Sequence, residues 1–207
     1  MNKKPEQKEL VQSYTAYKNT NIQQVLHFYI NQPVGAPHEY VEMIHRIKTA
    51  GENDIIFIYL NTPGGQVNTG IQIIAAMRSS QAHIITVLEG EVCSLGTLIF
   101  LAGDEFIVHD HCLFMIHNYS GGAYGKGHEQ IAQIQAVSRE FGNLARSIYI
   151  PFLTVEELER VIAGEDMWMG SDEVRSRLEK MVKVLQKEQR EHERAEKGKT
   201  RKKSQVA

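Results

Sequence analysis

A chain of 207 residues with 42% hydrophobic content is long enough to bury one domain core and too apolar to stay unfolded. No apolar run reaches bilayer length, and the opening MNKKPEQKELVQSYTAYKNT lacks the apolar centre of a secretory signal, so the expectation is a soluble, cytoplasmic protein without a membrane partner. The net charge of −2 divides unevenly: residues 1–174 carry 11 Lys and Arg against 20 Asp and Glu, whereas residues 175–207 carry 12 against 5.

The basic end mixes Lys and Arg with Glu at helical spacing and has no aromatic residue to stack on a base, which argues against nucleic acid and for a solvated helix. Cys93 and Cys112 sit in apolar surroundings and read as reduced core thiols, not as a disulfide or a metal pair.

Taken in order, residues 1–22 are polar and read as a flexible lead-in. Residues 23–30 predict a strand, closed by Pro33, Gly35 and Pro37. Pro37 opens a helix expected to pack Tyr40, Val41, Ile44 and Ile47 inward and to end at Gly51. Residues 54–60 are apolar almost throughout, the pattern of a strand covered on both faces, and stop at Asn61-Thr62-Pro63-Gly64-Gly65. The helix that follows is expected to turn Ile71, Ile74, Ala75 and Met77 inward. A strand over 84–88, a turn holding Ser94, an apolar helix and strands over 105–109 and 112–117 complete an α/β alternation. In such sheets functional groups gather beyond the carboxyl ends of the strands, so Gly64, Gly65 and Ser94 can meet in one crevice.

Residues 118–127 hold too many glycines for a helix and read as an exposed, extended loop. Ile131, Ile134, Val137, Phe141, Leu144, Ala145 and Ile148 then keep helical spacing over 128–149, a long helix that looks set to project from the body. Pro151 breaks it. Thr154 and Glu157 form a capping box ahead of a short amphipathic helix through Val155, Leu158, Val161 and Ile162. A turn at Gly164 leads to an apolar patch around Trp168, and Leu178, Met181 and Leu185 are the last regularly spaced apolar positions.

Serine chemistry needs a base, a group that orients the base, and N–H donors for the oxyanion. Ser94 stands where a strand turns into a helix, a position that suits a nucleophile, although most serines in such places only cap the helix. His117 ends a strand, Asp166 lies in the turn before Trp168, and the backbone N–H groups of Gly65 and Leu95 are the candidate donors. The spacing is not the Gly-x-Ser-x-Gly elbow, because Val92 stands two residues before Ser94. His109, His111, Cys112 and His117 cluster in sequence, yet Asp110-His111 reads as a turn that breaks their alignment, so no metal is expected. Nor does Pro63-Gly64-Gly65 complete a phosphate-binding motif, and no cofactor is expected.

Together, Tyr59-Leu60-Asn61-Thr62-Pro63-Gly64-Gly65-Gln66-Val67, Cys93-Ser94-Leu95-Gly96, Met115-Ile116-His117-Asn118, Gly121-Gly122 before a long helix, and Asp166-Met167-Trp168-Met169 resemble the ClpP family of serine peptidases, from about residue 24 to 173. The resemblance implies a crotonase-like α/β superhelix with a protruding handle at about 120–150. It also implies a division into an N-terminal arm over 1–22, a peptidase domain over 23–175 and a basic tail over 176–207.

By the same likeness Ser94 is the nucleophile, His117 the general base and Asp166 the group that orients it, with Gly65 and Leu95 as oxyanion donors. Gln66, Val67, Gly121 and Gly122 would pair with an extended polypeptide substrate as added strands. Members form homo-oligomeric rings of seven, stacked in pairs by their handles, which enclose the active sites and are fed by an ATP-dependent unfoldase.

Three features depart from the family pattern. Glu165 stands where members commonly carry Arg, no Ala-rich helix leading to a Gly-Leu-Val-Asp strand follows Ser171, and residues 1–22 do not resemble the axial-loop segment. They point to a divergent branch, for instance an ATP-independent processing peptidase. Two other readings keep the fold: a crotonase-like acyl-CoA enzyme using the paired N–H donors, and a non-catalytic ring subunit or adaptor that uses the basic tail as its contact.

Overall fold

The computed structural model describes residues 23–203, so the expected lead-in over 1–22 lies outside the described residues. Six strands, β1 (Val25–Ile30), β2 (Ile55–Thr62), β3 (His83–Cys93), β4 (Glu105–Val108), β5 (Leu113–Ile116) and β6 (Met167–Gly170), form one sheet in the order β1-β2-β3-β5-β6, with β4 also beside β3. Only the β5–β6 pairing is antiparallel. Strand β3 is long because it serves two partners: Ile85–Leu88 pairs with β4 and Glu91–Cys93 pairs with β5. Both partners run parallel to β3, so Asp110-His111 is a step in a continuing chain direction, with His111 at φ 62°.

A 3₁₀ turn at Pro37–Tyr40 leads into α1 (Val41–Thr49), and the remaining helices are α2 (Val67–Ser79), α3 (Leu95–Leu101), α4 (Gly127–Tyr149), α5 (Val155–Ile162) and α6 (Ser171–Lys203). Helix α3 is buried at every position and lies at the centre of the core with Ile58, Leu60, Leu88 and Phe114. No described helix is long and apolar enough to cross a membrane.

Three packing expectations are corrected. Strand β2 buries only one face, through Ile56, Ile58, Leu60 and Thr62; on the other face, half-buried Phe57 and Tyr59 stack on His27 and Tyr29, with ring centroids 5.1 Å apart for His27–Phe57 and 4.6 Å for Tyr29–Tyr59. Apolar residues continue along β2 because cross-strand aromatic packing, not a second covering layer, occupies that face. Tyr40 of the 3₁₀ turn and Ile47 of α1 are buried and Ile44 half-buried, but Val41 is exposed, since it begins the α-helix where the 3₁₀ turn changes the phase.

In α2, Ile71 and Ala75 face outward, and the buried stripe is Gly70, Ile73, Ile74 and Met77. Gly70 sets this phase: a Cβ there would run into the Leu95 side chain of α3, so the glycine must face α3 and its i+3, i+4 and i+7 neighbours follow.

Helix α4 changes character along its length. Ile131, Ile134 and Val137 are exposed, whereas Phe141, Ala145, Ile148 and Tyr149 pack into the body. Helix α6 crosses residue 175 without a break and buries Val174, Leu178 and Met181, while Leu185 is exposed. Arg177 of α6 donates to both carboxylate oxygens of Glu157 at 2.9 Å, and Thr154 caps α5 by accepting from the Glu157 N–H at 3.2 Å. This clamp fixes α5 on α6 on either side of β6.

Candidate active site

Ser94 joins the end of β3 to the start of α3 with φ 55° and ψ −125°, a conformation that costs a non-glycine residue about 1–3 kcal/mol and needs its surroundings to hold it. Its N–H donates to Met115 O of β5 at 2.8 Å, and its C=O accepts from the Thr97 N–H at 3.0 Å and from Thr97 Oγ1 at 2.6 Å. Although Ser94 stands at the N-cap position of α3, its side chain makes no capping bond. The hydroxyl is therefore not spent on the helix end.

Strand β2 ends beside β3, with Thr62 in register with Val92, which brings the Pro63-Gly64-Gly65 turn against Ser94. Gly64 has φ 97°, and a Cβ there would come within 2.7 Å of Ser94 Cβ and 3.0 Å of Leu95 N. Gly65, at φ 152°, bridges to Val34, whose backbone a Cβ would strike. Val34 N–H donates to Gly64 O at 2.7 Å and Gln66 N–H to Val34 O at 2.8 Å. Among the described residues neither the Gly65 N–H nor the Leu95 N–H has an acceptor, so two donors are left open beside the free hydroxyl.

These groups share a cleft of about 40 Å³ with Val67, His117, Tyr119 and Ser120, over a floor of Leu98, Phe141 and Tyr149. His117 directly follows β5 and Asp166 directly precedes β6. The antiparallel register ends with Ile116 paired to Met167, the chain neighbours of His117 and Asp166. Ser94 and His117 are half-buried; Asp166 is exposed and lies off the cleft lining. Among the described residues no hydrogen bond joins the Ser94, His117 and Asp166 side chains. Gln66, Gly121 and Gly122 are exposed and off the lining too, the two glycines lying in a stretch with neither helix nor strand. Asn118 ties the start of that stretch to α5 by donating from Nδ2 to Ile162 O at 2.8 Å.

The neighbouring thiol does not compete as a nucleophile. Burial and the nearby Glu91 carboxylate, which accepts from Cys93 Sγ at 3.3 Å, push the Cys93 pKa up to about 12. Of the histidines near Cys112, His109 faces Glu89 at 3.9 Å, and among the described residues no three His, Cys, Asp or Glu side chains gather as metal ligands.

Sequence reasoning passed over Thr97 and Tyr149. Both are fully buried, and their hydroxyls lie 2.6 Å apart beneath Ser94. Thr97 is the one hydroxyl-bearing residue inside α3, and a polar side chain in so apolar a run was the available signal.

The sequence model of the Clp protease family matches residues 7–177. Among curated relatives, the ATP-dependent Clp protease proteolytic subunit of Pleurastrum terricola is 32% identical over 113 residues, 54% of this chain and 58% of that protein. Its namesake in Chlorella vulgaris is 32% identical over 90 residues, 42% of this chain and 45% of that protein. A third, from Bacteroides thetaiotaomicron, is 30% identical over 126 residues, 58% of this chain and 56% of that protein. The chain thus spans about half the length of the curated relatives it matches.

Proposed function

Since this chain belongs to the Clp protease family, we propose that it is a serine endopeptidase that cleaves extended or unfolded polypeptide through Ser94, His117 and Asp166. The observation that carries this reading is the state of Ser94: a hydroxyl at a helix start that does not cap, held in a strained backbone, in a cleft shared with His117 and two unpaired N–H groups. In the proposed reaction His117 takes the Ser94 proton as Oγ attacks the scissile carbonyl. The N–H groups of Gly65 and Leu95 stabilise the oxyanion, and His117 returns the proton to the leaving amine. Water then attacks the acyl-enzyme by the same route. Asp166 orients the imidazole from the facing strand end.

Catalytic hydrogen bonds are often long or unmade before substrate binds, so the unlinked side chains fit a site that closes on substrate or on assembly. Gly121 and Gly122, in a stretch with neither helix nor strand, are the proposed partners for substrate backbone, a mode of recognition that tolerates many side chains. Val67 begins α2 and the Gln66 N–H is bound to Val34 O, so these two are proposed to meet substrate through their side chains. We further propose a ClpP-type superhelix with α4 as its handle and a homo-oligomeric ring enclosing the sites. The relatives' name, ATP-dependent Clp protease proteolytic subunit, supports an ATP-dependent partner, which we propose to be an unfoldase.

A fluorophosphonate probe is expected to label the full chain, and Ser94→Ala to abolish both labelling and peptide hydrolysis while the protein stays folded. Labelling that persists in Ser94→Ala would sink the reading. Intact substrate after incubation with an assembled, unlabelled ring would favour the non-catalytic subunit, and saturable acyl-CoA binding the crotonase-like enzyme.

A further inference from the structure

Thr97 and Tyr149 form a buried polar column beneath Ser94 that the proposed reaction does not use. Thr97 Oγ1 lies 2.6 Å from Ser94 O and 2.6 Å from Tyr149 Oη, a residue 52 positions along the chain at the end of α4. A threonine hydroxyl has one proton, and a carbonyl can only accept. If Thr97 donated to Tyr149, the phenol proton would have no acceptor in a fully buried place, which is costly. Both protons are satisfied when Tyr149 donates to Thr97 and Thr97 donates to Ser94 O. Burial pushes the Tyr149 pKa above that of an ordinary phenol, so the phenol keeps its proton.

The carbonyl held by this column belongs to the Ser94–Leu95 peptide, and a trans peptide is planar, with C=O and N–H pointing in opposite directions. Fixing Ser94 O toward Thr97 therefore fixes the Leu95 N–H in the opposite direction, and Ser94 and Leu95 both line the cleft. An unpaired donor on a strained turn needs such a restraint to keep one orientation. We propose that Thr97 and Tyr149 are positioning residues that aim the Leu95 N–H at the reacting carbonyl oxygen, an inference that rests on the peptidase reading above.

The test uses Tyr149→Phe, Thr97→Val and Thr97→Ser in the full chain, assayed on a fluorogenic peptide and with a peptide aldehyde, whose hemiacetal oxygen occupies the oxyanion position. Loss of one oxyanion donor costs about 100- to 1,000-fold, and a donor left in place but misaimed is expected to cost less, ~10-fold in kcat. Aldehyde affinity is expected to fall by the same factor, KM to stay within about 2-fold, and Thr97→Ser to restore both readouts. Should Thr97→Val fail to fold, Tyr149→Phe, which removes a single oxygen, carries the test. Unchanged kcat and aldehyde affinity in Tyr149→Phe, or a Thr97→Ser as impaired as Thr97→Val, would overturn the inference and leave the peptidase reading standing. A wild-type chain that neither reacts with fluorophosphonate nor cleaves peptide would bring down both.

Discussion

The two sides of the cleft are built on different principles. On one side the Ser94 backbone is held: Met115 O accepts its N–H, Thr97 donates to its C=O, Thr97 and Tyr149 are hydrogen-bonded to each other, and Gly64 packs too closely on Ser94 to carry a side chain. Across the cleft His117 is half-buried, Asp166 is exposed, and neither is bonded to the other or to Ser94 among the described residues. On the proposed reading, the oxyanion side is preorganised within one chain, while the acid–base wall of His117 and Asp166 is completed by substrate or by assembly. Electrostatic stabilisation of an oxyanion gains most from rigid donors, whereas proton transfer can be assembled when substrate or a neighbouring subunit arrives.

The sharpest way to break that contrast is at the floor. Gly65→Ala would place a methyl group against the Val34 backbone and force a residue with a side chain into φ 152°. The turn must then shift and carry its N–H away from the cleft. The expected result is a loss of ~100-fold or more in peptide hydrolysis and in fluorophosphonate labelling rate. Undiminished labelling would mean that this N–H is not part of the oxyanion site.

The same contrast explains what the sequence disclosed. Glycines at 64 and 65 and a serine at a strand-to-helix turn are local signals, because each meets a backbone requirement within a few residues, and the alternation of strands and helices follows from local periodicity. That His117 and Asp166 flank one strand pair depends on the antiparallel register of β5 and β6, which α4 and α5 separate in the chain and which no local pattern encodes. Helix phase in α2 is illegible for a related reason: Ile71 and Ala75 are as apolar as their buried neighbours, and only the approach of Leu95 to Gly70 decides which stripe faces inward. The one-sided burial of β2 escaped because cross-strand aromatic stacking and full burial select similar residues.

A smaller effect is expected where the wall is anchored. Arg177 and Glu157 are both mostly buried, and the guanidinium holds the Glu157 pKa at about 2, below its usual 4.5, with the Thr154 N–H assisting. Arg177→Ala is expected to destabilise the fold by about 2 kcal/mol, between the cost of an exposed and of a fully buried pair. Because the folded-state pKa is depressed, the stabilisation is complete above the unfolded value of 4.5 and is lost as pH falls toward about 2. Wild-type and variant unfolding curves should therefore converge below that window. A gap that persists at low pH would show that Arg177 acts through packing alone.

The smallest effect is expected at Glu165, the residue that departs from the family pattern next to Asp166. Its carboxylate reaches Arg160 Nη1 of α5 at 3.3 Å, with about half of each side chain exposed, so the bond is intrachain and well hydrated. Exposed pairs of this kind are worth little, and Glu165→Ala should change stability by less than about 0.5 kcal/mol. Activity is the informative readout. If the wall is completed by substrate alone, Glu165→Ala should leave kcat within about 2-fold of wild type at every protein concentration. If a neighbouring subunit completes it, the same substitution removes the Glu165 partner of Arg160 and should make kcat depend on protein concentration differently from wild type. A large kcat loss without any such dependence would mean that α5 positions Asp166 through Glu165, and that the wall, like the floor, is built within the chain.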